Sequence, residues 1–252
     1  MSASKPPCHS RGTVGSLQPM AAAHQPAPAL YSAQAILAGE VFPELSDVES
    51  EIFSHTAQWL EQSISRPNPE LGRLGDVCPW TRRTLQLGRL FVASIASCEP
   101  AHVDASLLQL LDTFQSLGGL DGAQDTFRAI VALFPRLEPG AGAAFTVAVH
   151  ARLKPTFLKH RMMLGEFYPG CPKPGLRNPN FRPLTAPYPL LVMRAMVEPD
   201  LWFLTDQDAF VDAYLNAFGE RGVDNLRQLL RESAATMDPE RVRCLRRRVS
   251  LV

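Results

Sequence analysis

The apolar positions of this chain change spacing several times, and each change marks an element. Val48, Ile52, Phe53, Ala57, Trp59 and Leu60 recur every three to four residues, the stripe of a helix that buries one face. Ser46 and Glu49 stand just ahead of it at capping-box spacing: the serine oxygen accepts from the Glu49 amide while the carboxylate reaches back. The stripe fades at Ser65-Arg66-Pro67. Leu90–Ile95, Met162–Tyr168 and Leu190–Val197 are short apolar runs between breakers, which predicts buried strands. Pro79 suits the first turn of a short helix over Trp80–Leu87 that Gly88 ends. Between His102 and Phe134 the spacing predicts two helices split by Gly118-Gly119, the second resting on Phe127, Ile130, Val131 and Phe134. Further helices are predicted over Phe145–Leu158, with Pro155 near its end, and over 206–218 and 222–235 behind a Thr205 cap.

Strands separated by helices imply an α+β fold class: one domain over 41–240, with a mixed β-sheet flanked by helices. Residues 1–40 are rich in Ala, Pro, Ser and Gln and have no apolar period. A segment of that kind is expected to be a disordered tail, dispensable for folding. Residues 241–252, with Arg241-Val-Arg-Cys-Leu-Arg-Arg-Arg248, are expected to be a solvated basic tail.

Composition narrows the function classes. Lys plus Arg and Asp plus Glu number 25 each, so no net field draws the chain to nucleic acid or an anionic membrane. No stretch approaches the roughly 20 apolar residues of a membrane span. The five cysteines (Cys8, Cys78, Cys98, Cys171, Cys244) form no C-x-x-C pair; this points away from a zinc site or disulfide framework and toward a reducing compartment, the cytoplasm. The chain lacks a phosphate loop, a dinucleotide fingerprint, a nucleophile elbow and a His-Glu-x-x-His helix, and its six histidines never pair at metal-ligand spacing.

Many of the 22 prolines fall within the first 43 residues and between Pro169 and Pro199. The second cluster stiffens a connection of about twenty residues with no room for a helix; loops of that length are functional or disordered more often than not. As the wall of a ligand site it presents Glu166, Tyr168, Cys171, Lys173, Arg177, Asn178 and Arg182. The alternative is a rigid surface crossover with solvated arginines. Tyr168 suits either a hydrogen-bonding or iron-binding role or half-buried packing. Cys78 and Cys171, each before a proline, are either thiolates or inert apolar side chains. His160, between Lys159 and Arg161, is either a surface group or a ligand. Arg194 interrupts an apolar strand: it either clamps an anion or faces water. If the strand from Pro189 pairs with Met162–Tyr168, Arg182 and Arg194 are expected to flank one anion.

Four segments carry a resemblance: Asn68-Pro-Glu-Leu-Gly-Arg-Leu-Gly-Asp-Val-Cys-Pro-Trp80, Met163-Leu-Gly-Glu-Phe-Tyr-Pro169, Gly175–Leu184 and Pro189–Asp200. They resemble an uncharacterised actinobacterial family known mainly as a domain of unknown function. The layout is also similar to the YqcI/YcgG-like proteins, some of which are haem-dependent N-oxygenases. Those place a Cys-Pro at the start of a short helix, and a His-Pro at a strand end before an arginine-rich loop; here that second position is Tyr168-Pro169. This similarity implies oxidation of an amino-acid-like small molecule in specialised metabolism by haem iron and dioxygen, with a redox partner or a second copy of the chain. It implies Tyr168, Cys171 or His160 on the iron, Tyr168 and Glu166 at the reacting centre, and Cys78 in the cofactor pocket. Arg177, Arg182 and Arg194 are then implied on the propionates or a substrate carboxylate. The competing expectation is a cofactor-free binding or accessory protein of a biosynthetic pathway, whose proline-rich loop exposes an apolar patch for a partner.

Overall fold

The computed structural model describes residues 26–118, 125–138 and 140–251. The Gly118-Gly119 break and residues 1–25 of the expected tail therefore fall wholly or partly outside the described residues.

The capping box at Ser46 is present: Ser46 Oγ accepts from the Glu49 amide at 3.3 Å and Glu49 Oε2 from the Ser46 amide at 3.2 Å. It starts α2 (Asp47–Trp59), which runs on into a single wider turn, Leu60–Ile64. Five strands form one mixed sheet: β1 (Tyr31–Ser32), β2 (Leu90–Ser94), β3 (Ala129–Leu133), β4 (Met162–Phe167) and β5 (Leu190–Ala195). Their spatial order is β1-β2-β3-β5-β4; β2 and β3 are parallel and the other neighbours antiparallel. β5, the last strand in the chain, therefore lies between β3 and β4.

Helices cover both faces. On one, α4 (Pro100–Ser116) and α5 (Gly142–Lys159) bring Leu107, Leu110, Phe114, Val149 and Phe157 against Ile130, Met162, Leu164 and Met193. On the other, α1 (Ala33–Leu37), α2 and α3 (Thr81–Gln86) pack Ala33, Phe53 and Leu85 against Val92, Val131 and Leu190. Burying a side chain of this size is worth about 1.5–3 kcal/mol, so these two apolar layers hold the sheet between them. A third cluster joins α6 (Asp208–Ser233) and α7 (Pro239–Leu251) to Leu158 and Met163. Gly219, with φ 54°, breaks α6 into two segments, near where the sequence pattern separates two helices. Among the described residues no helix is long and apolar enough to cross a membrane.

Three expectations are corrected. The stripe Phe127–Phe134 is not a helix: Ala129–Leu133 is strand β3, with all five residues buried. A strand covered on both faces has no polar alternation, so its apolar run mimics a helical stripe. Order begins well before Val41, because Tyr31 pairs with Val92, stands 5.4 Å from the Phe53 ring and is 7% exposed. The basic C-terminal run is not merely solvated. As α7 it buries Val242 and Leu245, while Arg241 pairs with Asp208 and Arg248 with Asp212 and Asp208.

Candidate functional site

The two segments that stand out in the sequence meet in space. Gly72 takes φ 75°, and a Cβ there would lie 3.1 Å from Cβ of Arg177, so the turn seats against the loop only as glycine. Asn178 Nδ2 donates to the Glu70 carbonyl at 2.7 Å. The loop itself is held by short backbone bonds: Gly175 N to Phe181 O at 2.9 Å, and Ala186 N to Tyr168 O at 3.3 Å. Leu74 and Leu176, 97% and 59% exposed, protrude from these interlocked loops.

A cleft of about 400 Å³ opens where β2 and β3 end and β5 begins. Leu133, Phe134, Pro135 and Leu137 form one side; Pro169, Pro187, Tyr188 and Pro189 of the proline-rich loop form the other, with Ile52 of α2 and Gly142 and Ala143 of α5 also in the wall. Gly142 permits the close approach there, since a Cβ would fall 2.3 Å from Pro189 Cγ. Tyr188 is held in place by His55, whose Nδ1 is 3.0 Å from the phenol oxygen.

Beside the start of this loop a charged group is buried. Glu166, 2% exposed, points from β4 toward α5. Its Oε1 contacts the Lys173 ammonium, and its Oε2 lies 3.4 Å from His150 Nδ1. His150 Nε2 is 2.9 Å from the Leu164 carbonyl. Burial, reinforced by Lys154 and Lys173, pushes the His150 ring down to about 4. Burial likewise lowers Lys154 and Lys173 from their ordinary value. Lys154 Nζ sits 5.0 Å over the Phe210 ring and 3.4 Å from the Phe203 carbonyl.

The remaining predicted residues do not converge. The Cys171 side chain beside the Tyr168 hydroxyl, together with burial, raises the phenol from its ordinary value; the two residues are 6% and 1% exposed. His160, before the start of β4, caps α5 and reaches Gln115 at 3.3 Å; the six residues of β4, about 20 Å by strand rise, lie between it and Tyr168. Arg177 is exposed. Arg182 donates back to the Pro179 and Phe181 carbonyls. Arg194 forms a two-pronged ion pair with Asp200 and lies 5.3 Å over the Trp80 ring, near Cys78. Thus Arg182 and Arg194 do not form one anion clamp. None of these arginines lines the cleft.

These residues do not fit haem: the iron-binding candidates lie at opposite ends of β4 or are closed against each other, and the propionate-binding candidates point elsewhere. Among the described residues no three His, Cys, Asp or Glu side chains gather as a metal site. Sequence reasoning missed His150, Lys154 and Asp200. Only Asp200 left a signal, as an acid following a Pro-containing turn six residues after an arginine that needed an anion.

One family, described as Domain of unknown function (DUF6875), matches residues 53–229, more than half of the chain and including both interlocked loops and strands β2 to β5. No curated protein and no solved structure matches the chain.

Proposed function

We propose that this chain, which belongs to the Domain of unknown function (DUF6875) family, is a binding protein for a small, largely apolar molecule held in the cleft between α2, the start of α5 and the proline-rich loop. The observation that carries the proposal is the cleft itself: about 400 Å³, lined mainly by apolar side chains and prolines, in the size range of small-molecule sites. Its position outside the ends of parallel strands is where open sheets tend to receive ligands. Four prolines in the wall keep it formed without ligand, which lowers the ordering cost of binding. The free thiols Cys78, Cys98, Cys171 and Cys244 support a reducing compartment, the cytoplasm.

A small-molecule thermal-shift screen on the full chain and on Ala143→Trp tests this. Ala143 lines the cleft and is solvent-exposed, so tryptophan fills the space without entering the core. Compounds that stabilise the wild type and not Ala143→Trp are expected; hits that stabilise both equally would overturn the proposal.

Haem-dependent N-oxygenation is the competing reading, and it rests on the resemblance alone. A Soret band after haem-supplemented expression, abolished by Tyr168→Phe or Cys171→Ala, would displace the binding-protein proposal.

A further inference from the structure

The contact between His150 and Glu166 has an unusual feature. Both groups are largely buried, with side-chain exposures of 13% and 2%. A backbone carbonyl only accepts, so the 2.9 Å contact with Leu164 O places a proton on His150 Nε2. The buried ring is neutral at pH 7, and Nδ1 therefore presents a lone pair. It faces Glu166 Oε2 at 3.4 Å, and that oxygen has no hydrogen-bond donor. Two buried acceptors facing each other with nothing between them carry the full cost of unmade hydrogen bonds. One proton between them removes it.

We infer that Glu166 and His150 hold a single proton along Oε2···Nδ1, forming a buried acid–base dyad for a small anionic ligand such as a carboxylate. The charged groups around it set that choice of ligand. Lys154 faces the dyad from α5 and Lys173 from the loop, and Asp206 is the acid near both. Asp200, also near Lys154, is matched by Arg194. With the proton on the dyad, two ammonium groups stand against one unmatched carboxylate. Lys173 is 48% exposed and so open to solvent. An anion arriving there pairs with a Lys173 ammonium that the protonated dyad leaves without a full counter-charge, and the proton stays between Oε2 and Nδ1.

Histidine-labelled full-length protein, observed by nitrogen NMR with acetate as the probe, tests the inference. His150 is expected as the Nε2-protonated tautomer with a hydrogen-bonded Nδ1, and acetate is expected to shift its signals. Glu166→Gln, whose amide can still donate, keeps the Nδ1 hydrogen bond; Glu166→Ala loses it. Lys173→Ala weakens the acetate response at least fivefold. A wild-type Nδ1 with no hydrogen bond, or signals that acetate leaves unmoved, overturns the inference.

Stability against pH gives a second readout that does not need the acetate response. Between about pH 4.5 and 6.5 the unfolded chain carries one proton on these two groups, on the histidine. The folded dyad also carries one, so its contribution is flat there and falls as pH rises beyond about 6.5. An ionised Glu166 beside a neutral His150 does the opposite: its contribution rises up to about pH 6.5 and is flat above. The profile of wild type minus His150→Asn/Glu166→Gln separates the two, and the rising form overturns the dyad.

Discussion

Arg194 and Asp200, six positions apart, meet through two hydrogen bonds of 2.8 and 2.6 Å, with Asp200 only 1% exposed. The aspartate also accepts from the Val197 amide at 2.8 Å. One carboxylate thus closes the turn leaving β5 and neutralises the arginine that β5 carries onto the α3 face. Lysine cannot reproduce the planar fork. Arg194→Lys is expected to lower stability by about 1–3 kcal/mol, the range for charge-assisted bonds. Urea denaturation measures it, and acetate and thermal-shift ligands should bind unchanged.

Gly142→Ala puts a methyl group 2.3 Å from Pro189 Cγ, and neither helix start nor proline ring can yield without moving a cleft wall. A loss of about 1–3 kcal/mol is expected, as for other insertions into packed sites. Any ligand of the cleft should weaken in parallel. A variant as stable as wild type would show that the loop moves freely away from α5.

Leu245 is fully buried under α6. Leu245→Ala should cost about 2–5 kcal/mol, whereas Arg247→Ala, on the exposed side of α7, should be nearly neutral. Equal effects in thermal denaturation would return the C-terminal segment to the status of a loose tail.

Ser94 Oγ donates to Glu49 Oε1 at 2.7 Å, tying the end of β2 to the cap of α2. That bond is the main cause holding the Glu49 carboxyl below its ordinary value. A depressed carboxylate contributes stability above the ordinary range, about pH 4.3, that is lost as pH falls through the folded value. Ser94→Ala is therefore expected to cost about 1 kcal/mol near neutrality, allowing for solvent screening of a partly exposed group. The difference from wild type should shrink toward zero in acid; one that grows on acidification contradicts the assignment.

Sequence pattern exposed what depends on local spacing. The Ser46 box, the β2, β4 and β5 runs and the Gly219 break all appear in it because neighbours along the chain determine them. Ala129–Leu133 escaped because complete burial erases the alternation that separates strand from helix. Tyr31–Ser32 escaped because a strand of two residues has no period at all. At the site, the proline-rich loop stood out by its departure from scaffold composition and Asn68–Trp80 by resemblance; their contact through Gly72 and Asn178 became visible only in the fold. The partners of individual charges were not legible either. Nothing in the spacing of Arg182 and Arg194 reports that one turns back on its own loop and the other finds Asp200. His150, an ordinary member of an amphipathic helix by pattern, meets Glu166 only when α5 lies across β4.

The place of β5 between β3 and β4 constrains the order in which this protein can be assembled. As the ribosome releases the chain, β2 and β3 can pair early, but β4 emerges with no strand beside it and waits for some two dozen residues of proline-rich loop. Only when Leu190–Ala195 slides between β3 and β4 does the sheet become continuous, and non-local pairing of this kind is slow. Until then the Leu164 and Met162 face has α5 alone for cover, and β3 presents an open edge, a state prone to wrong pairing. A released chain truncated before Leu190 should thus be protease-sensitive throughout β4, whereas one extended past Asp200 carries both the missing strand and the carboxylate that locks it in place.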